Sequence, residues 1–322
     1  MCRNGAKCVY NDLLVGSTGF VGGNLMAKHD FTAVCHSKDV AAQYGTRPDL
    51  CVYAGVPAAM FFANADPEAD LAVMRSAREN LRHIAPKAVV LISSIAVYAD
   101  SRGKNEDDEP DTENLSAYGR NRLQLEHWVR EDFPDALIVR LPALYGEGLK
   151  KNFLYDLRTI TPSMLKPEKY SELSQKSPLV RDGYTLADNG FYKLNGEVDA
   201  AALRDFFAGN DFNALAFTDS RSRYQFYNLG RLWNDICAAR AAGLHLLHLC
   251  TPPISAETVY TAVTGKTDWH NELPKAPFDY DLRSKYAALL GGSGAYLCTE
   301  QEELNDIRHF LQPGKERDDA RM

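Results

Sequence analysis

Leu13-Leu-Val-Gly16-Ser-Thr-Gly19-Phe-Val-Gly22 decides how the chain is read. The apolar run from Val9 to Val15 predicts a strand, and Gly22 to His29 has the make-up of an opening helix. The glycines between them keep a G-x-x-G-x-x-G spacing. Small residues at a strand-to-helix turn let the backbone approach a pyrophosphate closely, and the free N–H groups of a first helical turn carry partial positive charge. The whole turn, Gly16, Ser17, Thr18, Gly19, Phe20, Val21 and Gly22, is therefore a candidate phosphate cradle.

The pattern continues outward from that turn. Phe31–Cys35, Leu50–Ala54, Ala88–Ser93 and Ala136–Leu141 are short apolar strand-like runs. Residues 69–84 place Leu71, Met74, Ala77, Leu81 and Ile84 three or four apart, which predicts a helix, and Ala117–Glu131 predicts another. Strands alternating with helices predict parallel βαβ units. The fold class is α/β: a Rossmann-type doubly wound parallel sheet over 1–150, then a smaller C-terminal substrate-binding α/β region over 151–322 with strands returning to the main sheet. In that second part residues 159–200 show no clean period. Helices are predicted at Ala200–Phe207, Leu229–Ala242 and Glu300–Leu311, and a strand at Gly243–Cys250. The acidic stretch Asp100–Glu113 is read as an exposed loop.

Composition narrows the classes. The 322 residues are 45% hydrophobic and 25% charged, the make-up of a globular protein. A net charge of -7 argues against a nucleic-acid partner, which would need a basic stripe. No apolar run approaches the roughly 20 residues of a membrane span, and the N-terminus lacks an apolar signal core. Seven scattered cysteines without compact spacing predict reduced thiols and a cytoplasmic setting. His245-Leu-Leu-His248 holds metal-ligand residue types, but on a strand the two imidazoles face opposite ways, so no metal site is expected. Thr264-Gly-Lys-Thr267 lacks the first glycine and preceding strand of a phosphate loop.

Two further segments carry chemistry: Ser93-Ser94-Ile-Ala-Val-Tyr98, and Tyr118-Gly-Arg-Asn-Arg122, whose tyrosine lies 24 residues after Ser94. Tyr118 and Arg122, at i and i+4, share a helix face. With the glycine turn, Glu126 and Arg140-Leu-Pro-Ala-Leu-Tyr-Gly146, they resemble the extended short-chain dehydrogenase/reductases, the NAD-dependent epimerase/dehydratase branch that acts mainly on nucleotide-activated sugars. The resemblance spans roughly residues 9–153. Its motif reads Tyr-x-x-x-Lys, and this chain has arginine in place of the lysine.

The resemblance implies that Tyr118 is the acid/base, that Ser94 hydrogen-bonds the same substrate oxygen, and that residue 122 binds the nicotinamide ribose. Arginine keeps the positive charge and offers more donors, but it cannot release a proton. The cofactor contacts implied beyond the turn are His36, Ser37, Lys38, Ala54, Gly55, Val56, Ser93, Tyr118, Arg122 and Pro142. No acid stands about 20 residues after Gly16, where one would bind the adenosine ribose of NAD; Lys38 and Ser37 favour a 2′-phosphate, and hence NADP over NAD. Ser94, Ile95 and Asn152 are the substrate candidates. Ile95-Ala96 replace the Asp-Glu pair of 4,6-dehydratases, which leaves an NAD(P)-dependent 4-epimerase or 4-ketoreductase. The alternatives are a catalytically silent NAD(P)-binding relative acting as sensor or partner subunit, and an isomerase or lyase on another metabolite. Family members often form homodimers through the tyrosine-bearing helix, for which Leu123, Leu125 and Trp128 are apolar material, though some of them must face the home sheet.

Overall fold

The computed structural model describes residues 11–312. Along the chain the elements are β1 (Asp12–Val15), α1 (Phe20–Met26), β2 (Ala33–Cys35), β3 (Leu50–Tyr53), α2 (Met60–Ala65), α3 (Pro67–Ile84), β4 (Val89–Ser94), α4 (Ala117–Asp132), β5 (Leu137–Leu141) and β6 (Ala143–Tyr145). Then come α5 (Phe153–Thr159), β7 (Met164–Leu165), α6 (Pro167–Lys176), α7 (Pro178–Gly183), β8 (Tyr184–Leu186), β9 (Tyr192–Leu194), α8 (Ala200–Ala208) and β10 (Arg223–Tyr224). The last are β11 (Phe226–Asn228), α9 (Leu232–Ala241), β12 (Leu246–His248), α10 (Ala256–Thr264) and α11 (Glu300–Leu311). Two compact units result. The first runs to Leu149 and takes in Tyr224–Pro253 and Asp279–Glu303; the second holds Lys150–Arg223, Ile254–Phe278 and the chain from Leu304.

The first unit is built on a sheet in the order β12-β5-β4-β3-β1-β2, every pair parallel. Its strands are mostly apolar because helices cover both faces. The pleat sends alternate residues to opposite sides. Leu14, Val52, Val90, Val139 and Leu247 join one core with Leu25 of α1 and Leu232 and Ile236 of α9. Leu13, Val15, Cys51, Val89, Leu91 and Ile138 join the other with Met74, Leu81 and Ile84 of α3 and Leu125 and Val129 of α4. Each such side chain contributes about 1.5–3 kcal/mol on leaving water.

Helix boundaries follow from local chemistry. Asp66 accepts from Ala69 N, Pro67 opens α3, and Ala85 in the left-handed region closes it. Ser116 caps α4 by accepting from Gly119 N. The short helix α2 has no counterpart in the sequence pattern, since six residues cannot display a period. The acidic loop is largely exposed, as expected, yet Glu106 ties it to the unit by accepting from His248 N, Ser284 Oγ and Lys285 N.

In the second unit, α5-β7-α6-α7-β8-β9 folds with sheet order β7-β9-β8, both pairings antiparallel. This part packs around Leu165, Leu173, Val180, Tyr184, Leu203 and Phe207. On its surface Lys169 and Lys176 pair with Glu172, and Arg181 with Asp182.

Candidate active site

The glycine turn leaves β1 and enters α1 with almost no spare room. Gly16 sits at φ +94°, and a Cβ there would lie 2.5 Å from Ala54 O; one on Gly22 would lie 2.1 Å from Gly16 O. The turn is fastened by Gly16 N and Ser17 N, both donating to Cys35 O at 2.9 and 3.2 Å. Thr18, Phe20, Val21 and Gly22 keep their N–H groups free of protein partners among the described residues, so four donors remain for an anion. These features fit a dinucleotide's pyrophosphate. Ala54, Gly55 and Val56 leave the end of β3 beside this turn, and Thr18 Oγ1 meets His36 Nδ1 at 3.0 Å. Ser37 and Lys38 are exposed, and Pro142 follows the last residue of β5.

Ser94 ends β4 and caps the following turn, its Oγ accepting from Ala96 N at 3.2 Å. With that acceptance made, the hydroxyl's own proton remains to be donated. Helix α4 lies directly on this turn. A Cβ on Gly119 would stand 2.1 Å from Ala96 O, so only glycine after Tyr118 allows α4 to lie this close to the turn that follows Ser94. Gly119 was not among the sequence candidates, although a glycine in a first helical turn, where it costs helix stability, is itself a signal. Asn64 Oδ1 accepts from Tyr118 N at 3.0 Å, a second contact that the sequence did not foretell.

Arg122 is 4% exposed. Its guanidinium lies over the Tyr118 ring, 3.8 Å from the centroid. Nη1 pairs with Asp70 of α3, and Nη2 donates to Pro57 O at 2.6 Å. Asp70 Oδ2 also accepts from Asn121 Nδ2 at 2.9 Å. The arginine is thus turned toward α3 and the segment after β3.

Ser93 faces away from Ser94 and donates to Glu126 in a buried network. Arg140 pairs with Glu126 and donates through Nη1 to Tyr98 Oη at 2.8 Å and to His248 Nε2 at 3.3 Å. His248 Nδ1 lies 3.1 Å from Arg283 O, which makes Nδ1 the protonated nitrogen and Nε2 the acceptor. Burial pushes the His248 pKa down to about 4. For Arg140 burial acts downward, but the Glu126 carboxylate prevails and holds the guanidinium above its ordinary value.

The remaining candidates fall as follows. Ile95 is buried against Leu115 and Leu123. Asn152, in the second unit, caps α5 by accepting from Leu154 N and Tyr155 N, at φ 94° and ψ 175°. An asparagine there costs on the order of 1–3 kcal/mol. Leu123 and Leu125 are 4% and 2% exposed and are the ones that face the home core, while Trp128 packs partly buried with Arg78 over its ring. His245 is exposed and His248 buried, and no group of three His, Cys, Asp or Glu among the described residues could hold a metal. Gly265 is the left-handed cap of α10. No described helix is long and apolar enough to cross a membrane.

Residues 13–164 match the family described as RmlD substrate binding domain. No curated protein matches the chain significantly. Among solved structures, a dTDP-4-dehydrorhamnose reductase from Yersinia enterocolitica superposes with a TM-score of 0.61 at 14% identity, over 93% of this chain and 98% of that one. The dTDP-4-dehydrorhamnose reductase of Bacillus anthracis, in complex with NADP, gives 0.58 at 13% identity, covering 94% and 98%. A UDP-N-acetylglucosamine 4-epimerase from Methanobrevibacter ruminantium M1, in complex with UDP-N-acetylmuramic acid, gives 0.60 at 10%, covering 94% and 97%. At these identities the likeness is one of fold, and the family match over residues 13–164 lies within the part of the chain that carries the glycine turn, Ser94 and Tyr118.

Proposed function

We propose that the protein is an NAD(P)-dependent enzyme of nucleotide-sugar metabolism, a 4-ketoreductase ahead of a 4-epimerase. The observation that supports this reading is the Gly119–Ala96 approach, which packs the start of α4, next to Tyr118, on the turn after Ser94 in the unit that holds the glycine turn. The reductases among the structures of like fold point the same way, one of them bound to NADP. Gly16 to Gly22 would hold the pyrophosphate, His36, Ser37 and Lys38 the adenosine ribose end, and Ala54, Gly55, Val56, Ser93 and Pro142 the flank of the cofactor. The absence of an acid at the end of β2 favours NADP. Bound there, a nicotinamide would supply or accept the hydride.

The chain's own residues handle the proton. Tyr118 Oη has no partner among the described residues and is the group placed to protonate a carbonyl oxygen as negative charge develops on it. Ser94 donates its hydroxyl proton as a hydrogen bond to the same oxygen, the role of a preset oxyanion donor. Ile95 and Ala96 offer no acid/base pair for water elimination, so a dehydratase reading is set aside. Asn152 remains a candidate substrate residue. We read the protein as a homodimer in the cytoplasm.

The test is oxidation of NADPH or NADH, followed at its absorbance, with dTDP- or UDP-4-keto-6-deoxyhexoses. Tyr118→Phe should lower kcat by about 10²–10⁴-fold. Turnover equal to the parent's would remove Tyr118 from the mechanism. A second reading, a silent NAD(P)-binding relative, is favoured by one observation: Arg122 spends both Nη groups on protein partners. Arg122→Lys separates the two, since a large gain in hydride transfer marks a weakened enzyme and a loss marks an arginine fitted to its task.

A further inference from the structure

We infer that Arg122 is a positioning residue and not a ribose ligand: with Asp70 it forms a fixed pair that seats Tyr118 and ties the segment 57–64 to α4. The inference deepens the reading above and rests on it for the role of Tyr118.

Three observations converge on the pair. The guanidinium is walled in, with 4% of the residue exposed, so a cofactor ribose could reach it only after rearrangement. Its direction is set by Asp70, itself held by Asn121, and the planar fork matches a carboxylate on one arm and the Pro57 carbonyl on the other. A lysine ammonium has donors enough for both acceptors but lacks the rigid planar fork that holds them in this fixed geometry. Finally, the guanidinium carbon lies over the Tyr118 ring, 3.8 Å from its centroid, and backs one face of the phenol.

The consequence reaches α2. That helix is fastened at one end through Pro57 O to Arg122 and at the other through Asn64 Oδ1 to Tyr118 N. Between these ties it carries Met60, Phe61 and Phe62 at 47%, 73% and 64% exposure. Apolar side chains that exposed add little to holding the helix down, so the ties at its ends hold it. Asp70, 52 residues from Arg122, is thereby a positioning residue for Tyr118 that acts through the guanidinium.

The experiment compares the parent with Arg122→Gln, Asp70→Asn, the double variant and Asp70→Glu. Two readouts are used: NADPH binding by fluorescence titration, and the rate of chymotrypsin cleavage after Phe61 and Phe62. Each single variant should speed that local cleavage by at least about tenfold, because the tie governs opening of α2. The double variant should be no faster than either single, as expected for partners in one interaction. Asp70→Glu should restore slow cleavage, and NADPH affinity should change by less than about threefold throughout. Weakening of NADPH binding by about tenfold or more in Arg122→Gln, with Asp70→Asn near the parent, would make Arg122 a ligand and overturn the inference. Unchanged cleavage in both singles would overturn it equally. If Arg122→Gln does not fold, Asp70→Asn against Asp70→Glu decides by the same cleavage rates. If the parent binds neither NADPH nor NADH, the cofactor reading fails by itself, and the cleavage comparison still decides the pair.

Discussion

Arg140 Nη2 donates to Glu126 Oε2 at 2.6 Å in a place where the two side chains keep 2% and 0% of their surface. Glu126 also accepts from Ser93, the neighbour of Ser94, so the pair braces the end of β4 from beneath. Removing one partner strands the other charge. Glu126→Gln should cost about 3–5 kcal/mol, seen as a fall in Tm of about 10 °C. A fall within 1–2 °C would mean that the pair contributes little.

Gly119 offers a sharper probe of the site. A methyl group there would meet Ala96 O, a backbone atom that cannot swing aside. Gly119→Ala should push α4 off the Ser94 turn at about 1–3 kcal/mol and lower turnover by at least about tenfold. NADPH binding to the glycine turn should survive. A variant with parental kcat would show that α4 shifts without separating Tyr118 from Ser94.

What the sequence disclosed was local. The cradle announces itself in Gly16-to-Gly22 because strand, turn and helix are neighbours in the chain. The spacing of Ser94 and Tyr118 likewise signals itself through one strand end and one helix start. What stayed hidden depends on partners far away. Arg122 at position i+4 from Tyr118 suggested a cofactor contact, yet its direction is decided by Asp70 and Pro57, 52 and 65 residues back. Ser93 and Ser94 look equivalent as letters, and only the pleat turns one toward Glu126. Which of Leu123, Leu125 and Trp128 would face the home sheet also stayed open, because an amphipathic stripe does not say which of two cores will take it.

Gly22 tests the cradle itself. Gly22→Ala places a methyl 2.1 Å from Gly16 O, inside the turn that leaves four N–H groups free. NADPH affinity should fall by at least about tenfold, with the sheet intact by circular dichroism. Retained affinity would put the pyrophosphate elsewhere.

His248 makes the first unit sensitive to acid. Its folded pKa, pushed down to about 4 by burial, lies below the ordinary 6.5. Between those values the unfolded chain binds the extra proton, so stability is full above about 6.5 and is lost as pH falls toward 4. The loss is up to about 3 kcal/mol. His248→Gln keeps an acceptor for Arg140 and should flatten the Tm-versus-pH profile across this window. A slope equal to the parent's would assign the acid sensitivity to other groups.

Asp156 in the second unit works with the opposite sign. Burial pushes its carboxyl up to about 7 from an ordinary 3.8, and no donor reaches it among the described residues. Between those values the folded chain holds a proton that the unfolded chain has released, so stability falls as pH rises through the window. At pH 8 the buried charge costs up to about 4 kcal/mol. Asp156→Asn removes that charge at nearly constant volume. It should raise Tm at pH 8 by several degrees, leave it nearly unchanged at pH 4, and slow proteolysis of Phe153–Thr159 under alkaline conditions. If Tm at pH 8 fell instead, the carboxylate would have a partner that stabilises its charged form, and the helix would depend on Asp156 being ionised.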